Sequence, residues 1–473
     1  MRRIENQAEK NFTVVKYDIK NKEMIEYLTR MAILSNNLTN TVIYHQRQWY
    51  FYTQNMYYTE HPNENFKPYQ YNAELIDELK ECMYEYNQNK IERGKKPNDF
   101  IDFGLDAFFL QYYLKKIKQP DYIHDGLSAQ IAQQITSKVS QTFKAFRQAK
   151  KDYFKHPDKY EACPQLPRYN KKGGASNLYF TNQDTKIKNG VLRFPKTKLT
   201  LPFTYEPKGV YTRMEAIYKY GQFELRLVFK GDEKPTFKET DVVAAIDPGV
   251  SNLIAITTNK GQSLLVKDKT VKSINQYANK EISRIASAQT TTGGYEQVQM
   301  SKQLIKIYQK RHRRIEYLFY VLAKRVLAFC LENNVSKLAL GKNKGWKQAY
   351  DKGKTNNQNF IQIPYTSLYR KITDLLTKHG IEVVEQEESY TSKASAVDLD
   401  ELPLYGDDIP VGSFSGRRYG IHDRLYETSN GTTINADMNG ALNILRKAFP
   451  EIELELNDLQ YLKNPQVLKN MQA

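Results

Sequence analysis

"VVAAIDPGVSNLIAI", Val242–Ile256, decides how this chain reads. Five apolar residues run into Asp247, Pro248-Gly249 turns the backbone, and a second apolar run begins at Leu253. Short apolar runs bounded by turn residues read as buried strands. In open α/β sheets, functional groups gather at the carboxyl ends of strands, which is where Asp247 falls. One aspartate cannot hold a catalytic metal, so the question is which residues join it.

Reading outward, "NLIAITTNKGQSLLV" gives two strands turning at Asn259-Lys260-Gly261. A long helix is expected from about Gln297 to Asn333. "VSKLALG" reads as a buried strand, "SLYRKITDLLTKHG" as a helix ending at Gly380, and "IEVVEQ" as another strand. This order predicts a mixed sheet covered by helices. Towards the N-terminus, "FTVVKYDI" (Phe12–Ile19) reads as a strand, followed by helix-patterned sequence from about Lys22 to Phe154. There Ile131, Ile135, Val139, Phe143 and Phe146 recur at three- and four-residue steps, one face of a helix. From His156 the chain is punctuated by Pro and Gly and carries short strand candidates. Among them is a hairpin from Arg213 to Lys230 turning at Tyr220-Gly221, so a small antiparallel sheet or β-barrel is expected. "GDEKPTFKETD" reads as a linker between the two regions.

At 473 residues the chain exceeds one ordinary core, and several domains are expected. No window of 18 unbroken apolar residues points to a membrane span, and "MRRIENQAEKNF" lacks the apolar stretch of a secretory signal. The three cysteines, Cys82, Cys163 and Cys330, form no metal-spaced pair, so a reducing, cytoplasmic setting is expected. Seventy Lys and Arg against 53 Asp and Glu give a net charge of +17, which favours a polyanionic partner. The 35 tyrosines add aromatic faces suited to unpaired bases.

Two further acidic places are marked. Glu387 and Glu388 end "IEVVEQEE", and Asp437 lies in "TTINADMNGALNILRKA", where a helix begins. Asn435, Asp437 and Asn439 alternate there beside apolar neighbours. Converging carboxylates repel unless a cation sits between them. Two hard divalent ions roughly 3.5–4 Å apart remove that conflict and can drive phosphodiester hydrolysis. Each motif alone is equally consistent with a turn cap, a helix cap or solvated acids; their order and context favour one site.

"AIDPGVSNLIAI", "LALGKNKGWKQ", "NNQNFIQIPYTSLYRKI", "EESYTSKAS" and "INADMNGALNILRKA" together resemble the TnpB family, transposon-encoded RNA-guided DNA nucleases related to type V CRISPR effectors. The resemblance covers the C-terminal half and extends weakly forward through "PQLPRYNKKGG". It implies a multidomain α+β protein. Residues 1–21 and 156–235 would form a wedge-like β-domain, and 22–155 a helical recognition domain. Residues 236–394 and 432–450 would form a RuvC-like, RNase H-like nuclease domain, with 395–431 a nucleic-acid-binding insert and 451–473 a C-terminal tail. Asp247 matches the family's first acid and Asp437 its third; both would hold Mg²⁺, as two ions.

The family's second acid falls at Gly341, a departure consistent with an inactive nuclease. The site, however, needs a carboxylate at a point in space, and the adjacent strand ends in Glu387 and Glu388. A glycine at 341 leaves room for one of them. Glu388 is placed ahead of Glu387, although strand alternation does not decide between them, because Val383 and Val384 are both apolar. A second departure concerns zinc. No cysteine follows Cys330, so no structural zinc is expected in the insert.

Expected nucleic-acid contacts are Lys171, Lys172, Arg311, Arg314, Trp346, Lys347, Arg417 and Arg418, with Arg424 beside them. Trp346 suits either base stacking or a buried anchor for its loop. The implied partners are an omega-type, transposon-encoded guide RNA and target double-stranded DNA with a short adjacent motif, in a prokaryotic, nucleoid-associated setting and without a membrane. The alternative on the same scaffold is a nuclease-dead, RNA-guided DNA-binding repressor. A strand-joining transposase shares the acidic chemistry, but no separate DNA-binding module such as a helix-turn-helix is evident.

Overall fold

A computed structural model describes residues 10–469 apart from 20, 125–126, 204–208, 221, 234, 238, 250–251, 268, 295, 343–362, 405–413 and 420–423. Trp346 and Lys347 therefore lie outside the described residues. The chain divides into two compact units, one spanning Lys10–Asp232 and the other Glu233 onward. Among the described residues no helix is long and apolar enough to cross a membrane.

The first unit begins with β1 (Lys10–Asp18) and the helices α1 (Lys22–Glu60), α2 (Ala73–Glu92), α3 (Phe100–Phe103), α4 (Ala107–Lys116) and α5 (Ala129–Lys155). Side-chain oxygens of Asn21, Asn72, Asp106 and Ser128 start α1, α2, α4 and α5 by accepting from first-turn N–H groups. Then come β2 (Leu178–Thr181), β3 (Lys186–Lys188), β4 (Val191–Arg193), β5 (Thr200–Pro202), β6 (Val210–Lys219) and β7 (Gln222–Glu233). The β6–β7 hairpin pairs Lys219 with Gln222 across its tip, and Tyr220 takes a left-handed φ of 50°.

The strands form a four-stranded sheet in the order β1-β7-β6-β2 and a separate three-stranded sheet β3-β4-β5. Of the expected antiparallel sheet or barrel, the described residues form two open sheets with antiparallel pairing, neither of which closes on itself. The expected split between a helical domain (22–155) and a β-domain (156–235) also differs from the packing. Leu38, Val139 and Phe143 of the helices share one core with Leu178, Met214, Leu225 and Leu227 of the large sheet.

The second unit is built on a six-stranded sheet in the order β12-β11-β8-β9-β10-β16. Its strands are β8 (Val243–Pro248), β9 (Ile254–Thr258), β10 (Ser263–Lys267), β11 (Lys337–Gly341), β12 (Glu382–Gln386) and β16 (Gln466–Lys469). Strands β8, β11 and β12 are parallel, β9 runs against β8 and β10, and β16 lies parallel to β10. The segment 451–473, expected to be a tail, thus supplies an edge strand. The helices are α6 (Thr270–Ser287), α7 (Lys302–Glu332), α8 (Tyr365–Lys378), α9 (Ala436–Ala448) and α10 (Gln460–Lys463). Helix α6 was not expected from the sequence, where its few buried residues, among them Val271, Ile274 and Ala278, are diluted by polar ones. A three-stranded sheet, β13 (Arg417–Tyr419), β14 (Leu425–Glu427) and β15 (Thr433–Asn435), completes the unit.

Alternation along β8 sets up the site. Ala244 and Ile246 pack with Phe319 and Leu322 of α7 and with Leu368 and Ile372 of α8. Val243 and Ala245 face the other way, towards Ile444 and Leu445 of α9. Side chains two residues apart share a face, so Asp247 follows Ala245 to the α9 side. On β11, Ala339 packs on α9 while Leu338 and Leu340 pack on α7 and α8, which puts Gly341 on that same side.

Candidate active site

Asp247 is partly buried at the end of β8 and meets α9 at Gly440. A Cβ added at Gly440 would sit 2.5 Å from Asp247 Oδ2. A glycine inside a helix costs about 1 kcal/mol relative to alanine; here it admits the carboxylate.

Asp437 comes from the first turn of α9, where a negative charge is favourable. The helix is capped by Asn435, whose Oδ1 accepts from the N–H groups of Asp437 (3.0 Å) and Met438 (3.2 Å). The Asp437 carboxylate is therefore free of capping duty. Its Oδ2 accepts from Arg424 Nη1 at 2.7 Å and from Asn252 Nδ2.

Glu388 lies just beyond β12, against Gly341. A Cβ added at Gly341 would stand 2.5 Å from Glu388 Oε1 and 2.7 Å from Ile444 Cδ1. The neighbouring Glu387 is engaged elsewhere: its Oε2 pairs with Lys447 Nζ at 2.6 Å, and its Oε1 accepts from Ser389 N at 2.6 Å. Lys447, with its side chain 7% exposed, also donates to the carbonyls of Ser389 and Pro403. The two glutamates thus differ in kind. Glu387 clips the chain after β12 to α9, whereas Glu388 lies against Gly341.

The charges of Glu388 and Asp437 both act on Asp247. Burial, then the charge of Glu388, then that of Asp437 push the Asp247 carboxyl well above its usual range, against smaller opposing effects of Arg418 and Arg424. Burial and the adjacent Glu387 carry Glu388 up to about 8. Burial also raises Glu387, but Lys447 and the Ser389 hydrogen bonds outweigh it, and the net displacement is downward.

Two tyrosines one turn apart on α8 wall the site. Tyr365 donates to the carbonyl of Gly249 at 2.6 Å and Tyr369 to that of Gly341 at 3.0 Å. Burial first, and then the charges of Asp247 and Glu388, raise both phenols, so they stay protonated donors. They fix the turn after β8 and the end of β11. The sequence reading missed them, as it missed Asn252 and Gly440; the tyrosine pair at i and i+4 in "IPYTSLYRKI" was the available signal.

The insert is anchored to α9 by polar groups. Asn439 Nδ2 donates to Ala394 O (2.8 Å) and Asn443 Nδ2 to Thr391 O (2.9 Å) and Ala394 O (2.7 Å), while Arg446 Nη2 reaches Asp400 O (2.9 Å). Asp398 accepts from Ser395 Oγ and Ser429 Oγ, both at 2.5 Å, and so ties the start of the insert to the β14–β15 turn. Asp400 accepts from the Ser395 and Ser415 N–H groups. These contacts close the region by hydrogen bonding.

The expected nucleic-acid contacts are dispersed. Lys171 and Lys172 are exposed in the first unit. Arg311 Nε is bonded to Asn275 Oδ1 at 2.7 Å in the α6–α7 cleft, whereas Arg314 is exposed. Arg417 pairs with Glu427 at 2.8 Å, Arg418 is exposed and acts on Asp247 through its charge, and Arg424 is held by Asp437.

The donor set is all oxygen, negatively charged and mutually repelling, which suits a hard divalent cation. Among the described residues, no three His, Cys, Asp or Glu side chains already stand as a joint ligand cluster. Asp437 is turned onto Arg424 and Asn252.

Comparison with known proteins agrees on where the similarity lies. Residues 226–347 match a family described as a probable transposase, OrfB of IS605, and residues 365–444 match the Cas12f1-like TNB domain. A TnpB-like protein, ORF457 of Acidianus two-tailed virus, is 28% identical over 212 residues, 44% of this chain and 42% of the relative. The match thus spans about two-fifths of that relative's length. Among solved structures, a Cas12f1–sgRNA–target DNA complex aligns with a TM-score of 0.42 and 15% identity over 92% of this chain and 98% of that one. A mini-RNA-guided endonuclease, CRISPR-Cas_phi3, aligns at 0.37 and 10% over 93% and 92%. By these sequence matches, the C-terminal half of the chain is similar to the TnpB family.

Proposed function

We propose that this chain is an RNA-guided DNA endonuclease of the transposon-associated kind, cutting target DNA at a RuvC-type centre made by Asp247, Glu388 and Asp437. One observation carries the proposal. Gly341 and Gly440 leave the space that Glu388 and Asp247 occupy on the α9 side of the sheet. Loss of the acid expected on β11 is thereby matched by a carboxylate from the end of β12. Similarity to the TnpB family and the net charge of +17 support nucleic acid as the substrate. In this reading the six-stranded sheet with its helices is the RNase H-like domain. The helices and sheets of residues 10–232 act on guide RNA and the target's adjacent motif, and base pairing supplies sequence specificity.

Asp247, Glu388 and Asp437 would hold Mg²⁺. When bound, the ions would activate a water and stabilise the leaving oxygen of the phosphodiester. The protein's own part is positional. Tyr365 and Tyr369 hold the two strand ends from which Asp247 and Glu388 face α9. Asn435 fixes the first turn that carries Asp437, and Arg424 holds the Asp437 carboxylate.

The test is Asp247→Ala. Guide RNA copurified with the protein should be retained, while magnesium-dependent cleavage of a matching labelled target falls at least 10³-fold. Cleavage at the original rate would exclude this centre. A second reading, a nuclease-dead RNA-guided repressor, has a specific observation in its favour: Arg424 already neutralises Asp437. It requires that wild-type ribonucleoprotein bind the target and leave it uncut in Mg²⁺.

A further inference from the structure

The unit 10–232 contains a cleft of about 440 Å³ between α1, α5 and the segment leading into β2. That volume falls within the roughly 300–1,000 Å³ typical of ligand sites. Its walls are aliphatic, with Ile43 from α1 and Ile131, Ile135 and Val139 from one face of α5. Ser35 lines the same cleft. It is 1% exposed, and its Oγ has no hydrogen-bond partner among the described residues. Other hydroxyls on α1 bond back to the helix: Thr29 Oγ1 to Ile25 O and Thr39 Oγ1 to Ser35 O, each at 2.7 Å. A buried polar group left unpaired is costly, so Ser35 marks a place where an entering polar group is expected.

The remaining lining has one sign of charge. Lys138 and Arg168 are exposed at the cleft, and no Asp or Glu lines it among the described residues. Lys138 Nζ stands 4.3 Å from the centroid of the Tyr179 ring, and donates to its hydroxyl at 3.2 Å, which fixes the cation beside an aromatic face. Apolar walls, a buried hydroxyl and cations without acids match the parts of one nucleotide: the flat faces of the heterocycle, its polar edge and its phosphate.

We propose that this cleft takes a single unstacked nucleotide of an RNA or DNA strand, with the base between the α1 and α5 aliphatics, its edge towards Ser35 and its phosphate towards Lys138 and Arg168. Such a slot selects a base taken out of its stack, which a groove reading paired duplex does not. The inference rests on the chain being a nucleic-acid binder but not on the acidic centre.

The experiment uses the full chain, freed of copurifying nucleic acid, in EDTA. The probes are a single-stranded RNA decamer carrying 2-aminopurine and the DNA decamer of the same sequence. Anisotropy reads total binding and 2-aminopurine emission reads the base. Emission should change on binding to at least one probe, and the probe that responds identifies the strand type. Gln134 is exposed and lines the cleft, so Gln134→Trp should fill it without moving the melting temperature and weaken that binding at least tenfold. Ser35→Ala should weaken it about fivefold, and Lys138→Ala should reduce the salt slope by about one. An emission change and affinity unaltered by both Gln134→Trp and Ser35→Ala would overturn the proposal alone. No binding of either decamer by anisotropy would overturn it together with the nucleic-acid reading.

Discussion

A methyl group at position 341 would meet Glu388 Oε1 and Ile444 Cδ1 at distances no relaxed Cβ adopts. Gly341→Ala therefore displaces the Glu388 carboxylate and the tip of Ile444. The expected outcome is at least a tenfold loss of cleavage, with about 1–3 kcal/mol lost in urea unfolding. Unchanged cleavage would mean that Glu388 is not needed where it stands. The two aspartates were legible in the sequence because each sits in a marked place, one at the end of an apolar run and one where a helix begins. The choice between Glu387 and Glu388 was not, because β12 ends at Gln386 and its two-residue alternation ends with it. What separates them is Lys447, 60 residues further on and brought to Glu387 only by folding.

Helix α9 works on two faces, and the split explains the polarity of "INADMNGALNILRKA". Met438, Ala441, Leu442, Ile444 and Leu445 pack against the sheet. Asn439, Asn443 and Arg446 form a stripe at i, i+4 and i+7 that grips residues 391–400. Asn443 is fully buried, so Asn443→Ala strips the Thr391 carbonyl of this donor inside the core. It should cost about 1–3 kcal/mol, seen as a lower urea midpoint at unchanged slope; an unchanged midpoint would show that the insert is held by other contacts. Strands β8 to β12 were legible as apolar runs between turns. Strand β16 was not, since "QVLK" is too short and mixed to announce a pairing with β10. Arg424 was read as a phosphate contact because nothing local to it points to Asp437.

At the scale of the whole molecule, the raised carboxyls of Asp247 and Glu388 make stability depend on pH. Burial and mutual repulsion raise Asp247 and bring Glu388 to about 8, so the native chain binds more protons than the unfolded chain between about pH 4.5 and 8. Stability contributed by these groups is present at the acidic end of that window and lost as pH rises through it. Glu387 and Asp398, lowered by their partners, act the other way, and only as pH falls through and below the ordinary carboxylate range. In EDTA the melting temperature should therefore fall from pH 5.5 to 8, and Glu388→Gln should reduce that fall, stabilising the chain at pH 8 by about 1–2 kcal/mol, since the group is only partly buried. A larger fall in the Glu388→Gln chain would contradict the assignment.

The most direct measurement is a Mn²⁺ titration of the purified chain followed by electron paramagnetic resonance, comparing wild type with Glu388→Gln and Glu387→Gln. A centre completed from the end of β12 predicts that Glu388→Gln weakens Mn²⁺ binding at least tenfold while Glu387→Gln leaves it within twofold of wild type. Equal affinities for wild type and Glu388→Gln would contradict it.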